Sequence, residues 1–281
     1  MSATNVETIA VIGAGTMGGG IASVCLSAGF EVRLFDPNRQ ALDLAGKRIA
    51  KRLESDESAG SAENLDVHYQ LEGAVEGCDL VIEAVPEKLD LKREVFGRCD
   101  SVAPPHAILA TNTSELSVTA IAGATKRPAQ VVGMHWFNPP ERMRLIEMVR
   151  AVQTSKQTVQ TVMAVAERCG KTTVLVKDRQ GFVTTRALAA LLTEAMRMLE
   201  EGVATKSDID TAIKLGLNHP MGPLELADYV GLDTMLFIGE SMTEALGERF
   251  RPPQTLRKMV EAGRLGRKSG AGFYDYGKRR D

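Results

Sequence analysis

The stretch Gly133–Val149 contains two residues that could carry out acid–base chemistry. His135 is one of four histidines in a chain of 281 residues. The ordinary pKa of an imidazole lies near neutrality, so this kind of side chain can take up and release a proton during a reaction. Glu147 lies within the apolar run Leu145–Val149, where a carboxylate is costly to bury unless it is paired. An imidazole that becomes charged would be a suitable partner.

The spacing of His135 and Glu147 permits them to meet. Val131–Trp136 and Leu145–Val149 have the pattern of buried strands, and the short segment between them contains two consecutive prolines. Such a segment favours an antiparallel return, in which the numbers of opposed residues have a constant sum. A turn centred near residue 141 would place His135 opposite Glu147, whose carboxylate would fix the imidazole tautomer and stabilise the imidazolium. The alternative, a structural histidine and a solvent-facing glutamate on an edge strand, stays open.

A glycine motif near the start of the chain could hold a nucleotide. Gly13–Gly18 reads G-x-G-x-x-G, directly after the strand pattern Thr8–Ile12 and at the start of the helix pattern Thr16–Ala28. The first glycine permits a tight turn, the second lets a pyrophosphate approach the backbone, and the third lets the helix pack closely on the strand. The expected cofactor contacts are Gly13, Gly15, Thr16, Met17 and Gly18. A glycine-rich turn that only packs is the alternative reading.

An acidic residue follows this motif at the spacing expected for a ribose ligand. Asp36 ends the second strand pattern, Glu31–Phe35, about 20 residues after the glycines. Its carboxylate would accept hydrogen bonds from the adenosine ribose and repel a 2′-phosphate, which favours NAD over NADP. Arg33 and Arg39 are near enough in sequence to keep NADP as the second possibility.

These residues require a scaffold of alternating strands and helices. Further strand patterns occupy Leu80–Val85, Ala107–Thr111 and Thr172–Val176, with helix patterns between them. This alternation predicts an α/β fold, a Rossmann-type doubly wound sheet covered by helices on both faces. The segment Glu54–Asn64 has the composition of a mobile loop.

The pattern changes after about residue 180. Only helical segments follow, so we predict an NAD-binding domain at residues 1–180 and a smaller all-helical domain at 181–281. Ser207 is expected to open one of these helices, with Asp210 in the capping-box position.

The composition restricts the class of partner. A net charge of -2 without a basic block argues against nucleic acid or an anionic membrane surface. The N-terminal sequence lacks the features of a signal peptide, no apolar run approaches the length of a membrane span, and four separated cysteines are typical of free thiols in a reducing cytosol. A cytoplasmic protein without a bound metal is expected.

Several motifs together resemble one enzyme family. The matching segments are VIGAGTMGGGIA, DLVIEAVPE, ATNTSEL, GMHWFNPP, LIEMV, KDRQGFV, HPMGPLELADYVGLD and GRLGRKSGAGFYDY. In combination and order they resemble the L-3-hydroxyacyl-CoA dehydrogenases, and among these the short bacterial 3-hydroxybutyryl-CoA dehydrogenases, from Thr8 to about Tyr276. The resemblance implies hydride transfer between NAD and the 3-hydroxyl of a short-chain L-3-hydroxyacyl-CoA.

The resemblance also assigns roles to individual residues. It implies that His135 is the acid–base residue, Glu147 its partner, and that Ser114 and Asn138 bind the reacting oxygen and neighbouring groups. It further implies cofactor contacts, made by Glu87, Lys92, Asn112, Ser114 and Asn138. Two alternatives remain: residues 112–114 as the cap of a following helix, and Glu87 with Lys92 as a surface pair. His219 is expected to be a structural turn residue.

Two departures from the family pattern concern the substrate. Thr185 stands where the family usually has an asparagine of the substrate site, and a helical hairpin that helps to hold CoA appears shortened, with Glu54–Asn64 in its place. A basic helix face could still meet CoA phosphates or simply face solvent; it consists of Lys47, Arg48, Lys51 and Arg52.

The resemblance implies a homodimer formed through the helical domain, with substrate in the cleft between the domains. An enzyme acting on a free 3-hydroxy acid, such as gulonate or carnitine, is the nearest competing function. A non-catalytic NAD-binding protein is the competing class.

Overall fold

The computed structural model of the chain describes residues 6–54 and 62–277. By its internal contacts the chain divides into two compact units, one ending at Phe182 and the other beginning at Val183. The sequence prediction of a mobile loop at Glu54–Asn64 falls mostly outside the described residues, as does the predicted shortening of the hairpin.

The first unit is built on one mostly parallel sheet. Its strands lie in the order β3-β2-β1-β4-β5-β6-β7-β8, and only the β6–β7 pair is antiparallel. This arrangement confirms the predicted doubly wound α/β sheet. The strands are β1 Thr8–Ile12, β2 Glu31–Phe35, β3 Leu65–His68, β4 Leu80–Glu83, β5 Ile108–Thr111, β6 Val131–Trp136, β7 Leu145–Arg150 and β8 Thr172–Lys177.

Helices cover both faces of this sheet because its central strands are apolar on both sides. The first unit contains α1 Thr16–Ser27, α2 Arg39–Glu54, α3 Leu71–Val75, α4 Leu89–Val102, α5 Val118–Ala122 and α6 Lys156–Arg168. One hydrophobic cluster packs α1, α2 and α6 on the sheet, and another packs α3, α4 and α5 on the opposite face. Strands buried on both faces have continuous apolar runs, and β1, β4 and β5 are buried at every position.

The sequence patterns did not predict two short elements of the first unit. They are the strand β3 and the helix α3, of four and five residues, whereas the sequence allowed a helix in the place of α5 only as an alternative. The strand lies at the edge of the sheet beside β2 and is only partly buried, so it lacks the apolar run by which the other strands were recognised.

The antiparallel pair β6–β7 has the predicted register. His135 lies opposite Glu147, and Gly133 lies opposite Val149. A side chain at position 133 would meet Val149, because a Cβ there would approach within 2.6 Å of the Val149 Cβ. The alternative of a solvent-facing Glu147 on an edge strand is wrong, because β7 pairs with β8 on its other side and Glu147 is fully buried.

The second unit is helical, with its own hydrophobic cluster. It contains α7 Thr184–Glu200, α8 Lys206–Gly216, α9 Pro223–Val230, α10 Leu232–Leu246 and α11 Gln254–Glu261. The predicted start of α8 was wrong. Thr205, not Ser207, is the N-cap and accepts a hydrogen bond from the Asp208 N–H. Asp210 is buried in α8 and accepts from the N–H groups of Leu224 and Glu225, so it caps the next helix instead of its own.

A buried carboxylate fastens the C-terminal segment to this unit. Asp228, which is 1% exposed, accepts hydrogen bonds from the Phe273 and Tyr274 N–H groups at 2.9 Å and from the Tyr276 hydroxyl at 3.0 Å. Burial raises the pKa of Asp228, although these donors act in the opposite direction. The backbone of Gly272 passes so close that a Cβ there would lie 1.9 Å from the Asp228 carboxylate.

Replacing Asp228 with alanine is expected to lower the free energy of unfolding by about 3 kcal/mol, because three donors would lose their acceptor. Urea unfolding followed by far-UV circular dichroism measures the change. The control is Asp275→Ala, which removes a carboxylate that is 78% exposed in its ion pair with Arg264 and should cost less than about 0.5 kcal/mol. Equal shifts of the unfolding midpoint in the two variants would contradict this account.

Candidate active site

A cleft lies at the carboxyl ends of the parallel strands, where the strand order reverses between β1 and β4. Ligands of open α/β sheets bind at such a reversal. The cleft here has a cavity volume of about 590 Å³ and lies entirely within the first unit. Its lining includes the predicted residues Gly13, Gly15, Thr16, Met17 and Asp36.

The three glycines of the motif have different physical reasons to be glycine. Gly13 has a φ of +108°. A Cβ there would lie 2.8 Å from the carbonyl oxygen of Ala84, the residue that follows β4. A Cβ on Gly18 would lie only 1.7 Å from the Gly13 carbonyl oxygen. Gly15 differs from both, because a Cβ there would meet nothing within 4 Å.

The geometry of this turn fits the pyrophosphate of a dinucleotide. Gly15 is the N-cap of α1 and makes no side-chain capping hydrogen bond, so no side chain of this residue occupies the first N–H groups of the helix. Thr16 and Met17 form the first turn of α1 and also line the cavity. Positive N–H dipoles beside an open backbone surface bind phosphate oxygens.

Asp36 connects the turn to the second strand. Its Oδ2 accepts from the Ala14 N–H and its Oδ1 from the Asn38 N–H, both at 2.8 Å. A carboxylate has about four acceptor positions, so these bonds leave capacity for ribose hydroxyls. The two arginines that kept NADP open are engaged elsewhere: the Arg33 guanidinium donates to the Glu76 carbonyl, and that of Arg39 lies 4.7 Å from the Tyr69 ring centroid.

His135 and Glu147 form a buried hydrogen-bonded pair. The distance from His135 Nδ1 to Glu147 Oε2 is 2.8 Å, and the two side chains are 8% and 0% exposed. Because an ionised carboxylate can only accept, Nδ1 carries the hydrogen and Nε2 is the nitrogen that can take a proton. The pairing that the strand register required is therefore present.

Two aromatic rings enclose the imidazole. The ring centroid of Phe137 lies 4.4 Å from that of His135, and the centroid of Phe182 lies 5.8 Å away. Phe182 has a φ of +48°, a conformation that non-glycine residues rarely adopt. Asn138 follows Phe137 and is exposed, joined to Pro139 by a cis peptide bond.

Lys92 lies at the centre of a buried ionic cluster. Its Nζ lies 2.6 Å from Glu83 Oε1 and 3.2 Å from Glu87 Oε2. Lys92 is 1% exposed and Glu83 is fully buried, so the alternative of Glu87 and Lys92 as a surface pair is wrong. The Thr111 hydroxyl and the Val85 N–H also donate to Glu83.

This cluster reaches Ser114 through Glu87. Glu87 Oε1 accepts from the Ser114 N–H at 2.8 Å, the Ser114 hydroxyl at 3.2 Å and the Thr113 hydroxyl at 2.5 Å. Burial alone would raise the pKa of Glu87, but the Lys92 charge and these donors outweigh it and hold that pKa below its ordinary value. Glu87 is thus an ionised acceptor that fixes the position of Ser114.

Asn112 has a different role from a helix cap. Its Oδ1 accepts from the Trp136 N–H at 2.9 Å and so connects the ends of β5 and β6. The N-cap of α5 is Ser117, whose side chain accepts from the Ala120 N–H. Residues 112–114 therefore do not cap the helix, and that alternative was wrong.

Sequence reasoning missed Glu83, Thr111, Thr113 and Glu115. Glu83 could have been found, because it ends the apolar run of β4 just as Glu147 interrupts the apolar run of β7. A carboxylate in such a run requires a partner, and Lys92 follows on the next helix. Thr111 ends β5, and Thr113 and Glu115 lie in the polar segment that follows it, so none of the three interrupts an apolar run and gives such a signal.

The remaining predicted residues belong to other elements. Thr185 belongs to the second unit, in the first turn of α7, and His219 lies in the turn between α8 and α9. Arg48 lines a smaller cavity, of about 180 Å³, beside α1. Lys47 and Lys51 are exposed on the same helix, and Arg52 is half-buried.

The chain is similar to known proteins along nearly its whole length. The family model of the 3-hydroxyacyl-CoA dehydrogenase NAD-binding domain matches residues 8–179, and that of the C-terminal domain matches residues 181–276. A probable 3-hydroxybutyryl-CoA dehydrogenase of Bacillus subtilis is 47% identical, over 96% of this chain and 98% of the relative. A 3-hydroxybutyryl-CoA dehydrogenase of Mycobacterium tuberculosis is 42% identical, over 96% and 99%.

A solved structure agrees with these matches. The crystal structure of (S)-3-hydroxybutyryl-CoA dehydrogenase from Ralstonia eutropha has a TM-score of 0.93 and 38% identity, covering 98% of this chain and 100% of that chain. The glycine turn, the acidic residue after β2 and the matched domains together identify NAD as the cofactor. The chain belongs to the 3-hydroxyacyl-CoA dehydrogenase family.

Proposed function

We propose that this enzyme interconverts a short-chain L-3-hydroxyacyl-CoA and its 3-ketoacyl-CoA, as in the pair 3-hydroxybutyryl-CoA and acetoacetyl-CoA. The observation that carries the chemistry is the buried 2.8 Å hydrogen bond between His135 and Glu147. The names of the relatives, 3-hydroxybutyryl-CoA dehydrogenase in both cases, support a short acyl chain and CoA as carrier.

His135 would be the acid–base residue. When the 3-hydroxyl is oxidised, the imidazole Nε2 takes the hydroxyl proton while the carbon–hydrogen bond breaks; in the reduction, the imidazolium returns it to the oxygen. Bound NAD supplies the acceptor for the hydride, or the donor as NADH in the reverse direction. General acid–base catalysis of this kind typically contributes a factor of about 10² to 10⁴ in rate.

Glu147 would make this proton transfer favourable. Its carboxylate holds the Nδ1 hydrogen, which fixes the tautomer and turns Nε2 towards the substrate, and it stabilises the positive charge that His135 acquires. Burial strengthens this interaction because little water screens it. Phe137 and Phe182 pack against the ring and limit the positions that the imidazole can adopt.

Ser114 and Asn138 would bind the reacting oxygen. Ser114 is held by Glu87, and Glu87 by Lys92, so its hydroxyl is presented from a fixed backbone. Asn138 is exposed at the end of β6, three residues beyond His135, where its amide can donate or accept. Thr185, where the family usually has asparagine, would contact the thioester part of the substrate with a shorter side chain.

The second unit would form a homodimer. Several of its large apolar side chains are exposed, including Leu215 at 80%, Tyr229 at 52% and Phe237 at 50%, and an interface would remove them from water. We also propose a cytoplasmic location, because all four cysteines are free thiols, as proteins of a reducing compartment usually have. Among the described residues, no helix is long and apolar enough to cross a membrane.

A substrate panel tests the proposed function. With NAD, 3-hydroxybutyryl-CoA is expected to give kcat/KM values at least about 100-fold above those of free 3-hydroxybutyrate, gulonate and carnitine. The reason is that binding of the CoA part, away from the reacting carbon, contributes free energy that lowers the barrier to hydride transfer. Turnover of a free acid without turnover of the thioester would overturn the assignment and favour a free 3-hydroxy acid as substrate.

The His135→Gln variant is expected to lose about 10³-fold in kcat while retaining NADH affinity, since glutamine cannot exchange the proton. Steady-state kinetics and NADH fluorescence titration measure the two effects. His106→Gln is the matched control, because His106 is exposed and pairs with Asp79 outside the cleft. Undiminished turnover in His135→Gln would rule out the acid–base role.

The Asp36→Asn variant is expected to lower the NAD-to-NADP ratio of kcat/KM by about tenfold, the equivalent of one charge-assisted hydrogen bond to the ribose. The variant keeps one oxygen that can accept from the backbone, and loses both the second acceptor oxygen and the charge that repels a 2′-phosphate. Asp43→Asn, on the exposed side of α2, is the control. An unchanged ratio in Asp36→Asn would contradict the role of Asp36.

A further inference from the structure

Glu115 is a buried carboxyl group that the proposed mechanism does not use. The residue is 2% exposed, and among the described residues neither of its carboxyl oxygens has a hydrogen-bond partner of normal geometry. An ionised carboxylate without strong partners is expensive to bury, whereas the neutral acid is much less so. The surroundings therefore favour the protonated form.

The charges nearby act in the same direction. Glu87 is near enough to Glu115 for its negative charge to disfavour a second one. From the segment after β8, the Gln180 side chain approaches the carboxyl and weakly favours its ionised form. Lys92 is already shared by Glu83 and Glu87, so the neighbouring cluster has a net charge of about -1 when all three groups are ionised. Burial, followed by repulsion from Glu87, raises the pKa of Glu115 to about 7.

Glu115 belongs to the same turn that positions Ser114. The Thr113 hydroxyl donates to Glu87 and accepts from the Leu116 N–H at 2.9 Å and the Glu115 N–H at 3.4 Å. The Ser114 N–H and hydroxyl donate to the same Glu87 oxygen. A force between the Glu115 and Glu87 carboxyl groups would therefore act directly on the contacts that hold Ser114.

We propose that Glu115 is a positioning residue whose neutral carboxyl keeps Glu87 and Ser114 in their catalytic arrangement, and whose ionisation disrupts it. When Glu115 loses its proton, two like charges face each other within a site of low dielectric, and Glu87 is displaced from Ser114. The enzyme would then lose activity as the pH rises through the neutral range, in addition to any titration of the acid–base residue itself.

The Glu115→Gln variant separates this effect from the others, because glutamine has the same shape and stays neutral at every pH. The ratio of kcat/KM in the variant to that in the wild type is expected to rise from near one at pH 6 to about ten at pH 8. The reason is that, one pH unit above the pKa, only about a tenth of the wild-type molecules keep Glu115 neutral. The substrate is whichever 3-keto compound the wild type reduces, acetoacetyl-CoA or free acetoacetate. Glu167→Gln, an exposed change on α6, should give a ratio near one throughout.

Stability gives an independent measurement. A folded-state pKa above the ordinary 4.5 means that the contribution of Glu115 is fully present below pH 4.5 and is lost as the pH rises to about 7, where the folded state also ionises. The urea midpoint of the wild type should therefore fall relative to that of Glu115→Gln across this interval and then run parallel to it.

The outcomes are distinguishable from those of the proposed function. A wild type that reduces only free acetoacetate would overturn the assignment of an acyl-CoA substrate and leave Glu115 testable on that substrate. A flat activity ratio from pH 6 to pH 8 would overturn the role of Glu115, and so would parallel urea midpoints between pH 4.5 and 7. If Glu115→Gln does not fold, Glu115→Met, also uncharged and of similar length, replaces it in both measurements.

Discussion

A carboxylate buried in a sheet needs a partner, and much of the first unit is arranged around that requirement. Glu147 occupies a central position of β7 with no exposure, and the partner that satisfies it is His135 on the neighbouring strand. The pairing exists only in one register, because a shift by one residue would turn the two side chains to opposite faces of the sheet. The antiparallel register of β6 and β7 is therefore what brings the His135 imidazole to the Glu147 carboxylate.

The same requirement is met in different ways elsewhere in the molecule. Glu83 has a lysine and two neutral donors, and Asp228 has backbone N–H groups and a tyrosine hydroxyl. Burial raises the pKa of both carboxyl groups, in spite of these donors. Glu115 has the weakest partners in this series, and burial followed by repulsion from Glu87 raises its pKa to about 7. In all three acids burial has the largest effect on the pKa, and the donors around each carboxyl group offset only part of it.

The sequence predicted the central strands and the His135–Glu147 register, because each depends on local patterns: apolar runs of fixed length, and a short return between two of them. It did not predict the edge strand β3, whose residues are only partly buried. It also placed Asp210 at its own helix terminus, whereas the carboxylate caps a helix fourteen residues further on. Contacts of this kind depend on how helices pack, which residue spacing alone does not specify. The burial of Lys92 was missed for the same reason, since its partner Glu83 lies on another element.

The glycine turn shows how two different demands can be separated within six residues. Gly13 and Gly18 are required by the protein itself, because a side chain at either position would collide with its own backbone. Gly15 has open space around it, so the fold would accept alanine there without strain. In the proposed binding mode, its lack of a side chain leaves room for the pyrophosphate beside the helix. An alanine at Gly15 could therefore weaken cofactor binding without lowering the free energy of unfolding. An alanine at Gly13 or Gly18 would lower the free energy of unfolding as well, because its Cβ would collide with the backbone.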